Sequence, residues 1–397
     1  MNEIEQLKEV HIEERNEEPR ASMYCGENNT EELVFEDLKR RDEKVQAIVD
    51  DRELLDNELF EVLYPHLSSD KSKFDEFRTS ITNRFNLVYS NWNHYLSYVL
   101  REDLWYRLIT ARNREIVTID EQEKLRDLHI GIIGLSVGQA TALDLSLSGV
   151  GSHFKLVDDD KLAASNLNRL QGGYTDIGTP KVYLAKREML EKNPYTHIEC
   201  WQERITKENM REFLEGLDYV VDAFDSIQTK ITLRKVAKEL GITVIMGTDF
   251  MDGAIMDVEE SSDPIFLGTL SPEELDRIEQ MDTIPSDEKN IIIPRLLGLK
   301  REDIPPRLAR HLQLMAEGKI PWMSQLGLSS QLVGAFSVYI MKALERDDMQ
   351  DLRRRTTFNL DEIFTHDDND KQHLEVQKIS SLIRHSAQGN NLCNTDY

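Results

Sequence analysis

Residues 129–160 read HIGIIGLSVGQATALDLSLSGVGSHFKLVDDD. The apolar run His129-Ile130-Gly131-Ile132-Ile133-Gly134 has the length and continuity of a strand buried on both faces. Gly134-Leu135-Ser136-Val137-Gly138 is then a turn, and Gln139 to Leu147 follows as a helix. His153-Phe154-Lys155-Leu156-Val157-Asp158 reads as a second strand with acids at its carboxyl end. Further β-type runs at Ile198–Trp201, Tyr219–Asp222 and Thr243–Met246 alternate with helical segments at Val182–Leu190, Lys207–Leu214 and Lys230–Leu240. That alternation predicts right-handed βαβ units and an α/β fold with a doubly wound, Rossmann-like parallel sheet. A ligand is expected beyond the carboxyl ends of the strands.

Outward from this core the texture changes on both sides. Residues 1–30 are polar and without periodicity, and read as a flexible arm. Residues 31–111 read as a mostly helical N-terminal region, with Leu54, Leu55, Leu59, Val62 and Leu63 at helical spacing and a short strand at 85–89. Trp92, Tyr95, Tyr98 and Trp105 are expected in core or interface packing. The Rossmann core is placed at 112–260. Prolines at 264, 272, 285, 294, 305 and 306 interrupt a helical, irregular C-terminal extension over 261–364. Within it Met323–Leu344 reads as an apolar helix packed on the sheet, and 365–397 as a flexible tail.

Bulk properties exclude several classes. The 397 residues are 40% hydrophobic and 30% charged, an ordinary folded composition. A formal net charge of -25 opposes general binding to a phosphate backbone, so nucleic acid is not an expected partner. Cys25, Cys200 and Cys393 are far apart, which excludes a dense disulfide framework and a cysteine zinc site; no zinc is expected. The charged N-terminus lacks an apolar signal core, and no apolar run of about 18 residues is long enough to span a bilayer. A cytoplasmic, soluble protein with no membrane partner is expected.

The glycine turn is ambiguous by itself. As a phosphate loop, Gly134, Ser136 and Gly138 would present an anion to the N-terminus of the following helix. The same residues spell G-x-S-x-G, the nucleophile elbow of α/β hydrolases, with Ser136 as nucleophile. Three acids at the end of the next strand, a helical preceding region and the polar surroundings of His311 and His366 oppose that alternative.

Downstream residues carry more. Asp158 ends the second strand, where an acid can accept hydrogen bonds from ribose hydroxyls. Ser165-Asn166-Leu167-Asn168-Arg169 and Asp176-Ile177-Gly178-Thr179-Pro180-Lys181 supply Arg169 and Lys181 as cations for a triphosphate. Asp222-Ala223-Phe224-Asp225 offers an acid suited to a divalent ion. Asp159 and Asp160 read as solvated loop acids.

The order VDDDKLAASNLNR…DIGTPK resembles the signature of the ThiF/MoeB/ubiquitin-activating-enzyme superfamily. The resemblance implies that Asp158 binds ribose, that Asn166, Arg169 and Lys181 bind phosphate, and that Asp225 is the essential metal-binding acid. Arg112-Asn113-Arg114 is similar to the element whose arginine, here Arg114, reaches into a partner subunit's ATP site, which implies a homodimer. Implied cofactors are ATP and Mg²⁺.

The chain departs from the pattern in three places. Its glycine turn is one residue shorter than the family's, Ser226 stands where Asn is usual, and no cysteine lies between Cys200 and Cys393. A thioester or persulfide relay is therefore not expected. The implied activity is adenylation of a peptide or small-protein carboxylate, with capture by an amine or amide, as in the peptide-modifying members of the MccB and PaaA kind. The alternatives are a non-catalytic nucleotide-binding scaffold and a tRNA-modifying dehydratase of the same superfamily.

Overall fold

A computed structural model describes residues 16–25, 30–281, 283–299, 304–346, 352–360 and 363. The arm reading of residues 1–15 and the tail reading of 365–397 lie outside the described residues.

The N-terminal unit is mostly helical, as expected, and adds a small sheet that the sequence reading did not contain. It contains β1 (Ala21–Tyr24), α1 (Glu31–Arg40), β2 (Ala47–Val49), α2 (Arg52–Leu63), α3 (Lys71–Ser80), β3 (Phe85–Ser90), β4 (Tyr95–Leu100) and α4 (Glu102–Ile109). Its four strands form a sheet in the order β1-β3-β4-β2. Strand β1 lies within the stretch read as an arm; its pairing with β3, Ala21 opposite Ser90 and Tyr24 opposite Leu87, is long-range and leaves no local periodicity. The β3–β4 turn holds His94 at φ 57°, and Asn93 Oδ1 accepts the Tyr95 N–H at 3.0 Å. Val34 and Leu38 of α1 pack on Leu87, Tyr89 and Leu96, closing a small apolar core.

The main sheet follows α5 (Ile119–Arg126), which begins with a capping box formed by Thr118 and Glu121. Its elements are β5 (His129–Ile133), α6 (Gly138–Leu147), β6 (His153–Val157), α7 (Lys181–Lys192), β7 (His197–Trp201), α8 (Met210–Leu214), β8 (Tyr219–Asp222), α9 (Ile227–Leu240), β9 (Thr243–Phe250) and β10 (Gly253–Glu259). After α10 (Pro272–Glu279), α11 (Ser286–Leu296), α12 (Pro306–Ala316) and α13 (Gly327–Leu344), β11 (Arg355–Asn359) completes it. The order is β11-β10-β9-β8-β5-β6-β7. Strands β5 to β9 are mutually parallel, and β10 and β11 add an antiparallel edge. The chain leaves β5 in one direction for β6 and β7 and returns to β8 on its other side, so the topological switch point lies between β5 and β8.

Two strands escape the sequence reading, β10 at the end of the Rossmann range and β11 in the irregular extension. Strand β10 is buried along its whole length, so it shows no alternation, and β11 finds its partner about a hundred residues away, Asp257 opposite Arg355. Helix α13 covers α6 and the sheet, as expected of the late apolar helix. The contact is close: a Cβ on Gly334 would lie 2.9 Å from the Ala140 carbonyl oxygen, and one on Gly247 2.1 Å from Val333 Cγ1.

The aromatic residues of the N-terminal unit dock it on the core. Trp92 Nε1 donates to Glu191 Oε1 at 3.0 Å, Trp105 Nε1 to the Lys192 carbonyl at 3.2 Å, and Tyr106 OH to the Gly149 carbonyl at 2.6 Å. No helix among the described residues is long and apolar enough to cross a membrane.

Candidate active site

At the carboxyl end of β5 the chain must turn sharply toward α6 beside β8. Gly134 does this with φ 87°, and a Cβ there would lie 2.5 Å from the Ala223 carbonyl oxygen. Gly138 opens α6 so close to β5 that a Cβ would lie 2.7 Å from Ile132 Cγ2. No side chain caps the first turn of α6; the Ala140 N–H donates to the Val137 carbonyl at 3.2 Å, and the helix N-terminus is otherwise open to an anion.

Asp158, just beyond β6, organises this turn. Its Oδ2 accepts the Leu135 N–H at 2.6 Å and its Oδ1 the Asp160 N–H at 2.8 Å. Burial raises its carboxyl above the ordinary range, and Lys181 with the two N–H groups opposes that rise. Lys181 opens α7; its Nζ lies 3.7 Å from Asp158 and 2.6 Å from Asp160. Asp159 pairs with Arg204 at 3.0 Å. The two acids read as solvated therefore have cationic partners, although both are largely open to solvent. The three carboxylates lie within 4.8 Å of one another, but this cation pairing opposes a metal ion there.

The loop between β6 and α7 carries Asn166 and Arg169. Asn166 Oδ1 accepts the Ala163 N–H at 2.9 Å, which shapes a 3₁₀ turn at Ala164–Asn166. Gln139 of α6 clamps the loop, accepting from Gln171 N at 2.7 Å and donating to its carbonyl at 3.1 Å. The Arg169 side chain is thereby brought to the glycine turn, where Nε donates to Ser136 Oγ at 3.1 Å. Ser136 Oγ also lies 3.4 Å from Gln325 Oε1, and Asn168 Nδ2 donates to the Gln325 carbonyl at 2.8 Å. The partners of Ser136 are thus a guanidinium and an amide, with no histidine base among them, which removes the nucleophile-elbow alternative.

The acid that ends β8 and the one just beyond the strand have opposite fates. Asp222 is fully buried and paired with Lys230 at 2.5 Å and Arg234 at 2.7 Å, while Arg234 also binds Glu259 at 2.6 Å. Burial alone would raise Asp222; the two cations outweigh it and hold the carboxyl below the usual range. Asp225, three residues on, is exposed, and no ion pair or hydrogen bond joins it to another described residue. An exposed carboxylate of this kind, with phosphate oxygens beside it, suits the donor set of Mg²⁺. Ser226 caps α9 by accepting the Thr229 N–H at 3.3 Å, so serine fulfils the structural task at this position.

Gly134, Ser136, Gly138, Asp158, Asn166, Arg169, Lys181 and Asp225 thus gather around the carboxyl ends of β5, β6 and β8. Arg114 does not join them. Its Nη1 donates to the Val62 carbonyl at 3.2 Å, and neighbouring Asn113 donates to the Ser148 carbonyl just past the far end of α6. Helix α6 separates that point from the glycine turn by roughly 15 Å.

The sequence reading missed Asp249. It ended the strand at Met246, whereas β9 continues to Phe250 and places another acid at a strand's carboxyl end. Burial pushes this carboxyl up to about 6, against a hydrogen bond from Ser330 and the charge of Arg169.

Fold and side chains together define the class of doubly wound α/β domains that seat a nucleotide at the switch point. Within that class, the chain belongs to the ThiF family, whose family profile matches residues 110–358. A tRNA threonylcarbamoyladenosine dehydratase of Bacillus subtilis is 31% identical over 222 residues, covering 53% of this chain and 84% of that protein. An uncharacterized protein of Mycobacterium tuberculosis is 38% identical over 171 residues, 42% of this chain and 24% of that one. A sulfur carrier protein adenylyltransferase of Thermus thermophilus is 33% identical over 138 residues, 34% of this chain and 50% of that protein. The chain thus spans half or less of the length of two of these three relatives. Among solved structures, PaaA superposes with a TM-score of 0.45 at 18% identity, covering 77% of this chain and 92% of that one.

Proposed function

We propose that this chain is an ATP-dependent adenylyltransferase that activates the carboxylate of a peptide or small protein. The observation that carries the reading is the meeting of an uncapped helix N-terminus, Asp158 beneath the glycine turn, the cations Arg169 and Lys181, and the exposed Asp225 at one switch point. A substrate carboxylate oxygen attacks the α-phosphorus of ATP, and the bond to the leaving pyrophosphate breaks with its electron pair on that pyrophosphate. The first turn of α6 and Arg169 bind phosphate oxygens, and Lys181 exchanges Asp160 for the nucleotide. Asp225 would hold Mg²⁺, which would supply positive charge to the departing phosphates.

An amine or amide then captures the acyl group and AMP leaves. Cys200 is not suited to a relay: burial pushes its thiol up to about 12, and its S–H donates to the Val182 carbonyl. Arg114 is proposed to complete the site of a second copy in a homodimer.

Pyrophosphate exchange with ATP, Mg²⁺ and candidate peptides tests the reading. Asp225→Ala should lower exchange by about 10²-fold or more; exchange unaffected by that change would sink the assignment. The 84% coverage of the Bacillus subtilis dehydratase favours a second reading, activation of a carboxylate on modified tRNA. The charge of -25 opposes it, and no salt-dependent tRNA binding is expected in a filter-binding titration.

A further inference from the structure

The most conspicuous unexplained group beside the site is Asp249. By register, Asp222 of β8 stands opposite Met246 of β9 in a parallel pair. Asp225 and Asp249 each lie three residues further on, so adjacent strands deliver two acids to the same end of the sheet. Asp225 is exposed, whereas Asp249 lies under α13, where Oδ2 accepts from Ser330 Oγ at 3.2 Å. Its Oδ1 is buried without a hydrogen-bond partner among the described residues. A buried carboxylate oxygen without a donor is costly, and either a proton or a cation would relieve it.

The surrounding charges are few. Helix α13 contributes the hydroxyls of Ser329 and Ser330, the first donating to the Met251 carbonyl. Strand β10 places Ala254 opposite Asp249. In the turn between the strands, Asp252 lies 4.0 Å from Arg307 of α12. The β6–α7 loop brings Arg169 against the first turn of α13, where a Cβ on Gly327 would lie 3.6 Å from Arg169 Cα, one turn before the Ser330 that bonds Asp249; the charges of Arg169 and Asp249 act on each other there, and that of Asp225 acts on Arg169. Among the described residues no ion pair within 4.0 Å joins Arg169 to either acid, and its Nε is committed to Ser136. Arg169 is therefore balanced at a distance by two carboxylates.

We infer that Asp249 is a positioning residue for Arg169, a counter-charge that must be surrendered when a triphosphate enters, so that nucleotide binds together with one proton taken up at Asp249. A triphosphate at Arg169 replaces the guanidinium's influence on Asp249 with negative charge. The ionised carboxylate, half-buried and with one oxygen unpaired, then takes a proton from solvent. Its position in free protein, pushed up to about 6, places it within reach of that exchange at neutral pH. The inference rests on the adenylation reading, because it requires triphosphate at Arg169.

The experiment is calorimetric titration of the full chain with MgATP at saturating Mg²⁺, in buffers of high and low ionisation enthalpy. In the wild type, binding should take up a fraction of a proton near neutrality. Its affinity should weaken with rising pH, by at most about tenfold per pH unit, the ceiling for one linked proton. Asp249→Asn should abolish the extra uptake and flatten the profile, and the difference between the proteins cancels protons carried by ATP itself. Ser330→Ala keeps the acid but removes the hydrogen bond that holds it down, so the profile should move to higher pH even if Asp249→Asn fails to fold. Wild-type binding without proton uptake, or a Ser330→Ala profile identical to wild type, would overturn the inference alone. Failure to bind MgATP at any pH overturns the adenylation reading as well.

Discussion

At the residue scale, the glycine turn shows how little freedom the site leaves. Gly134 combines a left-handed backbone with a contact to the Ala223 carbonyl that no side chain could share. Gly134→Ala should therefore cost about 1–3 kcal/mol of backbone strain and more from the clash. It should also weaken MgATP, because the turn sets the direction of the α6 N-terminus. Chemical unfolding beside calorimetry checks both, and unchanged stability would show that the turn can relax. The five turn residues could not by themselves choose between phosphate loop and nucleophile elbow; features elsewhere in the sequence opposed the elbow, and the structure added a direct reason. Arg169 supplies it by bonding to Ser136 Oγ across 33 residues of chain.

At the element scale, parallel strands in register stack identical residues. His129, His153 and His197 begin β5, β6 and β7 and stand opposite one another, with ring centroids 4.4 and 5.3 Å apart. Burial first, then the neighbouring imidazoles, holds His153 below the usual 6.5, against the opposing charge of Glu102. Its folded value is depressed, so in the window below 6.5 the unfolded chain binds more protons. The stability linked to His153 is complete above that window and is lost as pH falls through it. Urea midpoints at about pH 7.5 and about pH 5.5 should fall more for wild type than for His153→Asn. Equal losses would remove His153 from the acid response. The histidines are visible in the sequence, but their adjacency is a product of register. The same holds for β1 and β11, whose partners lie far along the chain. By contrast, the apolar runs of β5 and β6 and the helix between them were legible because their burial is written in contiguous residues.

At the scale of the whole molecule, Arg114 is the test of assembly. In its own chain it faces the N-terminal unit, at the far pole from the glycine turn. If a second copy supplies it, Arg114→Ala and Asp225→Ala are each inactive as homodimers, but a mixed dimer regains one intact site. Subunit exchange between the two variants should then restore about one quarter of wild-type pyrophosphate exchange. No recovery, with mixed dimers demonstrated by differential tagging, would place Arg114 outside the site. The sequence by itself determined the doubly wound core and the ordered acids and bases, because strand and helix periods and short motif spacings are local properties. Only the tertiary structure buried Asp222 between two cations while leaving Asp225 exposed, drew Asp249 to the end of β9 and turned Arg114 away. Burial and charge pairing depend on which distant segments meet, and no local pattern encodes that meeting.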